Sequence, residues 1–209
     1  MIIGIAGKMG CGKDYICNNL VLPLLKKHGQ SFLQVSFADQ IKINVMTKHD
    51  VSFHDVYVSK NVNTRRLLQT EGTENGRNVL GDDIWIRYLD NWITVHKSRG
   101  IDHFVCTDVR FKNELDYIKR SGGIVIKIVS SDRNNLRLYK ESNGDPTVME
   151  MLRSHASECD LDNLLPQNFD IILNNDFNSD IFRYSRKIEV ALESSYQKES
   201  QNNFTTLNK

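Results

Sequence analysis

The stretch "GKMGCGKD", residues 7 to 14, follows directly on the apolar run "MIIGIA" and restricts the fold more than any other part of the chain. An apolar run of this kind reads as a buried strand, and glycines at 7, 10 and 12 let the backbone curl before a helix begins. Successive N–H groups and the helix N-terminus then face one point, where an anion is held, and Lys13 adds a mobile positive charge. Such a loop usually ends in Lys followed by Ser or Thr, whose hydroxyl holds magnesium. Here Asp14 stands in that place. A carboxylate beside polyphosphate is repelled unless a cation lies between them or it points away to cap the helix.

The remaining chain continues the alternation of strand and helix. Strands are expected at Ile2 to Ala6, at Ser31 to Phe37, in "HFVCTDVR" ending at Asp108, in "GIVIKIVSS" and in "FDIILNN". With helical crossovers they make a three-layer α/β fold, a five-stranded parallel sheet with helices on both faces. The first helix is expected over 12–27, kinked or shortened by Pro23. "DVSFHDVYVSKNVN" reads as a surface loop and "TRRLLQTEGTENG" as a helix broken by Gly72 and Gly76. "DDIWIRYLDNWITVHKS" reads as a helix opening at a capping Asp, with Trp85, Leu89, Trp92 and His96 near one face and both tryptophans in the core. Residues 132–165 are charged, lack a strong period and read as a small lid. One domain is expected over 1–197, followed by a polar tail at 198–209 that frays.

Charge and cysteine usage exclude several classes. With 27 Lys and Arg against 26 Asp and Glu the net charge is +1, so there is no basic field for polymeric nucleic acid. Cys11, Cys17, Cys106 and Cys159 have no metal-site spacing and fit reduced thiols in a cytoplasmic setting. The apolar start is too short for a signal peptide or a membrane span.

Candidate site residues follow from physical oddities. Asp108 closes a strand where α/β nucleotide enzymes place an acid that holds the metal or its waters; alternatively it caps the helix starting at Phe111. Arg65 and Arg66 fall at an expected helix start, where cations oppose the dipole, and a bound phosphate would explain them. Arg66, Gln69 and Thr73 share one helical face, joining a phosphate-binding cation to an amide able to read a base edge. Arg110 is expected at the carboxyl edge of the sheet and is assigned to substrate phosphate, against an ion pair with Glu114. Arg133 and Arg137, four apart, would close over a transferring phosphoryl if their stretch is helical; the alternative is a solvated charged loop. Cys11 is read as a small residue that the loop tolerates.

In the order "GKMGCGKD", "RRLLQTEGT", "DIW", "DVRFKNE", "GGIVIKIV" and "HASE", the chain resembles viral and phage deoxynucleoside monophosphate kinases, from Ile2 to about Asn175. The resemblance implies a P-loop kinase that moves the γ-phosphoryl of ATP to a deoxynucleoside monophosphate with Mg2+, and it carries Asp after the loop lysine. It implies ATP binding at Gly7, Gly10, Cys11, Gly12, Lys13, Asp14 and Tyr15, with Tyr15 replacing a common Thr and offering its backbone N–H. It implies monophosphate binding within about 38–98, at Arg65, Arg66, Gln69 and Thr73, and also at Lys8, Arg110, His155 and Glu158. Lys13, Asp108, Arg110, Arg133 and Arg137 would serve the transfer, and Asp14 and Asp108 the metal. It is also compatible with a homodimer and, for a virus, with the host cytoplasm. Two other readings stay open on the residues alone: a P-loop kinase for another phosphorylated small molecule, and an ATP-binding module without catalysis.

Overall fold

β1 (Ile2–Ala6) occupies the centre of a five-stranded parallel sheet in this computed structural model, which describes residues 1–207, with side chains through residue 197. The order is β2 (Phe32–Val35), β3 (His103–Val109), β1, β4 (Ile124–Val129), β5 (Ile171–Asn174). All five strands expected from the apolar runs are present. Ile3 pairs with Val105 on one side and Ile124 on the other, and Lys127 lies between Ala6 and Ile172. Between Gly4 and Ala6 the pairing with β3 slips, so that Thr107 and Asp108 together oppose Ile5. Such a bulge bends the strand and re-aims its side chains at the loop end.

The chain forms two compact units, Met1–Gln34 with Ile101–Lys209, and Val35–Gly100. In the first, α1 (Lys13–Ile16) and α2 (Leu22–Lys27) cover one sheet face together with α11 (Ser185–Leu207). Ile16, Leu20, Leu25, Ile188 and Leu192 pack there against Ile3, Ile5, Ile126 and Ile128. α7 (Lys112–Arg120) serves the other face through Leu115 and Ile118. Pro23 does not shorten the first helix. A wide π turn over Cys17–Val21, in which Leu22 N–H donates to Cys17 O, absorbs the donor that proline lacks and lets the helix run on to Lys27. The region expected as an aperiodic lid is helical: α8 (Ser131–Glu141), α9 (Pro146–Ser154) and α10 (Ala156–Cys159). The tail expected to fray is helical as far as Leu207, and residues 208 and 209 lie outside the described residues.

The second unit holds α3 (Asp39–His49), α4 (Val62–Gln69), α5 (Asn78–Leu80) and α6 (Ile84–Lys97). Part of the expected surface loop is a π turn, His54–Val58. Gly72 and Gly76 do not break their helix, because α4 continues through a π segment, Thr70–Arg77, into α5. The glycines serve packing. A Cβ on Gly76 would lie 2.2 Å from the Trp85 ring, and Trp85 Nε1 donates to Gly72 O at 2.8 Å. Trp85 is 2% exposed, whereas Trp92, expected in the core, is 45% exposed and stacks on His96. Their helix buries Ile84, Trp85, Ile86, Leu89 and Ile93, a stripe turned away from Trp92.

Candidate active site

The loop between β1 and α1 has its carbonyl groups tied back by side chains. Lys13 Nζ donates to Gly7 O (2.9 Å) and Lys8 O (3.0 Å). Asn134 Nδ2 from α8 donates to Met9 O at 2.7 Å, and Asn175 Nδ2, just after β5, donates to Cys11 O at 2.9 Å. Gly12 O accepts Ile16 N–H in the first turn of the helix. With these carbonyls engaged, the first N–H groups of α1 remain as donors at a helix N-terminus, an arrangement suited to an anion. Gly12 (φ 89°) is required twice, by its left-handed backbone and because a Cβ would lie 2.4 Å from Asn175 Nδ2.

Lys13 is partly buried in this cradle. Burial, together with the Arg110 guanidinium, pulls its ammonium down to about 8, so at neutral pH it is charged but readily gives up its proton. Asp14 is exposed in the first turn of α1 and makes no capping bond, which leaves its oxygens open to solvent. Tyr15 is 52% exposed. Cys11 is buried, and burial raises its thiol, which removes it from nucleophilic chemistry.

Asp108, in the bulge of β3, accepts from Cys106 Sγ at 3.0 Å. The N–H groups just before the following helix are not left to it. They fall to Glu114, whose buried carboxylate accepts the N–H groups of Arg110 (2.8 Å) and Phe111 (3.1 Å). The side chain of Arg110 is therefore not paired with Glu114; its Nη1 meets Glu158 Oε1 at 2.5 Å. Glu158 is itself buried and also accepts Met9 N–H at 2.6 Å. Met9 is thus gripped from both sides, its N–H by α10 and its carbonyl by α8.

His155 sits at the N-cap of α10, where Nδ1 accepts from Ser157 N–H. Asp160 accepts Lys112 N–H at 2.6 Å. Arg133 donates through Nε to Asn175 O at 2.6 Å and stacks on Phe177, and Arg137 pairs with Glu141 one turn along α8. Both arginines do lie on a helix, but both are engaged. Beside the loop is a cavity of about 400 Å³ lined by Lys8, Arg110, Lys127, Asn134, Arg153, Glu158 and Asp162 among others.

In the Val35–Gly100 unit, α4 begins earlier than expected, at Val62, with Asn61 as its cap. This puts Arg65 and Arg66 inside the helix, away from the dipole end. Arg66 and Gln69 are exposed and Arg65 and Thr73 half-buried. The buried carboxylate of this unit is Glu71, held by Asn44 (2.9 Å), Lys48 (2.6 Å) and Asn75. Burial alone would raise its carboxyl, but these three donors outweigh it and hold it below its ordinary value. Sequence reasoning missed Asn134, Asn175 and Lys127. Only Lys127 left a visible trace, a charge inside the apolar run "IVIKIV".

The family model for deoxynucleotide monophosphate kinase matches residues 17–141, more than half of the chain. The chain belongs to that family. A protein of Acanthamoeba polyphaga mimivirus whose name provisionally assigns it as a deoxynucleotide monophosphate kinase is 30% identical over 156 residues, 61% of this chain and 73% of the other. Among solved structures the chain is similar to shikimate kinase from Acinetobacter baumannii (TM-score 0.48, 14% identity, covering 92% of this chain and 93% of that one). It is also similar to dephospho-CoA kinase from Campylobacter jejuni (TM-score 0.44, 14% identity, 94% and 98%). Membership of the deoxynucleotide monophosphate kinase family makes the chain a nucleotide-binding phosphotransferase. No helix among the described residues is long and apolar enough to cross a membrane.

Proposed function

We propose that the protein transfers the γ-phosphoryl of ATP to a deoxynucleoside monophosphate, forming the diphosphate. The observation that carries this reading is the loop at 7–14, whose carbonyls are engaged by Lys13, Asn134 and Asn175 and which leads into the N-terminus of α1. Lys13 would sit among the β and γ oxygens, where contact with phosphate favours its charged form. Arg110, fixed by Glu158, would meet the acceptor. The acceptor phosphate is the nucleophile. It is largely ionised at neutral pH, so in-line transfer needs charge neutralisation more than a general base.

The donor set fits magnesium. Asp14 and Asp108 offer hard carboxylate oxygens, and no group of three or more His, Cys, Asp or Glu among the described residues builds a metal cage. This is the pattern of an ion held largely by phosphates and water with one or two carboxylates. Magnesium would neutralise phosphate charge when bound, while this chain's Lys13 and Arg110 hold the reacting groups in line. The test is ADP formation from ATP across the four deoxynucleoside monophosphates and their ribose counterparts, with and without Mg2+. Turnover with a deoxynucleotide supports the proposal. ADP formed only with another phosphorylated small molecule, or none with any acceptor, overturns it.

A further inference from the structure

Lys127 is a charge that the fold has gone out of its way to keep. It interrupts the apolar strand β4 between the fully buried Ile126 and the 2%-exposed Ile128, on the opposite sheet face, beside Ala6 at the mouth of the phosphate loop. An ammonium has three N–H donors. Among the described residues this one makes a single long hydrogen bond, to Leu161 O at 3.4 Å, lies 4.6 Å from the Phe169 ring centroid, and forms no ion pair. Burial disfavours its charge, and its ammonium is held below the ordinary lysine value. A structural role would be met as well by Met or Leu; donors left over in a cavity call for an anion.

The cavity that Lys127 lines is suited to one. Lys8, Arg110, Lys127 and Arg153 line it with Glu158 and Asp162, and Arg153 also pairs with Glu150 at 3.6 Å, so the lining cations still outnumber the carboxylates around them, which suits an anion such as a phosphate monoester. One carboxylate is committed: Glu158 is buried and orients Arg110. The other is not. Asp162 and Lys8 are both more than 40% exposed, and an exposed pair of this kind is worth little, so Lys8 can exchange Asp162 for a ligand at small cost. Val129 and Leu161 supply apolar wall, and Asn134 joins it to the loop.

We propose that this cavity seats the phosphate ester of the acceptor, with Lys127 and Lys8 as the residues that bind it. This rests on the monophosphate kinase reading above and adds the residues of β4 and of 157–162 to it. Ligand phosphate favours the charged ammonium, so occupancy and protonation of Lys127 reinforce each other.

Two substitutions of opposite sign test it. Lys127→Met keeps the apolar stem and the Phe169 contact but removes the charge. It should weaken binding of a deoxynucleoside monophosphate, measured calorimetrically without ATP, by roughly 10- to 100-fold and leave the KM for ATP within about twofold. Asp162→Asn releases Lys8 and removes a negative charge, on an exposed residue that does not threaten folding. It should tighten the same binding by roughly two- to fivefold. Inorganic phosphate, titrated separately, should bind more weakly than the nucleotide with the same dependence on both residues. Unchanged monophosphate binding in Lys127→Met, equal loss for ATP, or weaker binding in Asp162→Asn overturns the assignment. If wild-type protein transfers phosphate to no deoxynucleotide yet binds phosphate in the expected order, the kinase reading fails and the site stands. Transfer that is indifferent to both substitutions leaves the reading standing and the site refuted.

Discussion

At Lys13 two pH effects run in opposite directions. Its folded value of about 8 lies below the ordinary 10.5. Between these values the unfolded chain holds more protons than the folded, ligand-free protein, so this group's contribution to stability rises with pH across that window and is least favourable below 8. A phosphate beside it reverses the sign, because the complex keeps a proton that the free protein gives up. Nucleotide affinity should therefore fall as pH rises through about 8. Binding at pH 8.5 should take up protons, seen as an enthalpy that varies with the ionisation heat of the buffer. Lys13→Ala should abolish that uptake and reduce turnover by roughly two to three powers of ten. Wild-type binding without proton uptake would separate Lys13 from the phosphates. Asp14 makes no cap, so Asp14→Asn should leave the melting of the free protein within ~1 kcal/mol of wild type. It should also raise the Mg2+ concentration needed for half-maximal rate, because Asn is a weaker ligand for a hard cation. An unmoved Mg2+ curve would place the metal elsewhere.

At the scale of elements, two amides decide the shape of the loop. Asn175 is 2% exposed, and Asn175→Ala would leave Cys11 O buried without its donor, costing about 1–3 kcal/mol, with weaker ATP binding as the second readout. A melt unchanged by the substitution would show that water replaces the amide. In the helix through Gly76, alanine is the better helix former by about 1 kcal/mol, but its Cβ would meet the Trp85 ring. Gly76→Ala should therefore destabilise by about 1–3 kcal/mol, read from denaturant midpoints, and stabilisation would mean that the ring gives way. These cases also show what the sequence made legible. Apolar runs announced every strand, and glycines announced the turn between β1 and α1, because both are local patterns. The hand of Asn134 on Met9, 125 residues away, and of Asn175 on Cys11, 164 away, has no local signature. Nor does the slip in β3 that re-aims Asp108, nor the Trp85 contact that turns two apparent helix breakers into packing positions. Asp108 and Arg110 were expected at a strand end, and they lie at the end of β3. Glu114 as the helix cap was within reach, since a Glu three residues into a helix is a known start signal.

For the whole molecule, ligand linkage gives the broadest check. A non-hydrolysable ATP analogue at about 100 times its dissociation constant should stabilise the Met1–Gln34/Ile101–Lys209 unit by about 2.7 kcal/mol, raising its calorimetric transition by several degrees. A thermogram indifferent to the analogue would mean that the loop does not bind the donor.

The discontinuity of that unit bears on how the chain comes into being at the ribosome. β1 lies in the middle of the sheet, but its neighbours β3 and β4 are translated about a hundred residues later, and Asn175 later still. At roughly 5–20 residues per second, some ten to thirty seconds separate the synthesis of Gly7 from that of Asn175. Val35–Gly100, continuous in sequence and helical, meets its own contacts long before then. The glycine segment emerges first and is completed last, so a nascent chain acquires nucleotide affinity only once the strand and amide from its far end have arrived.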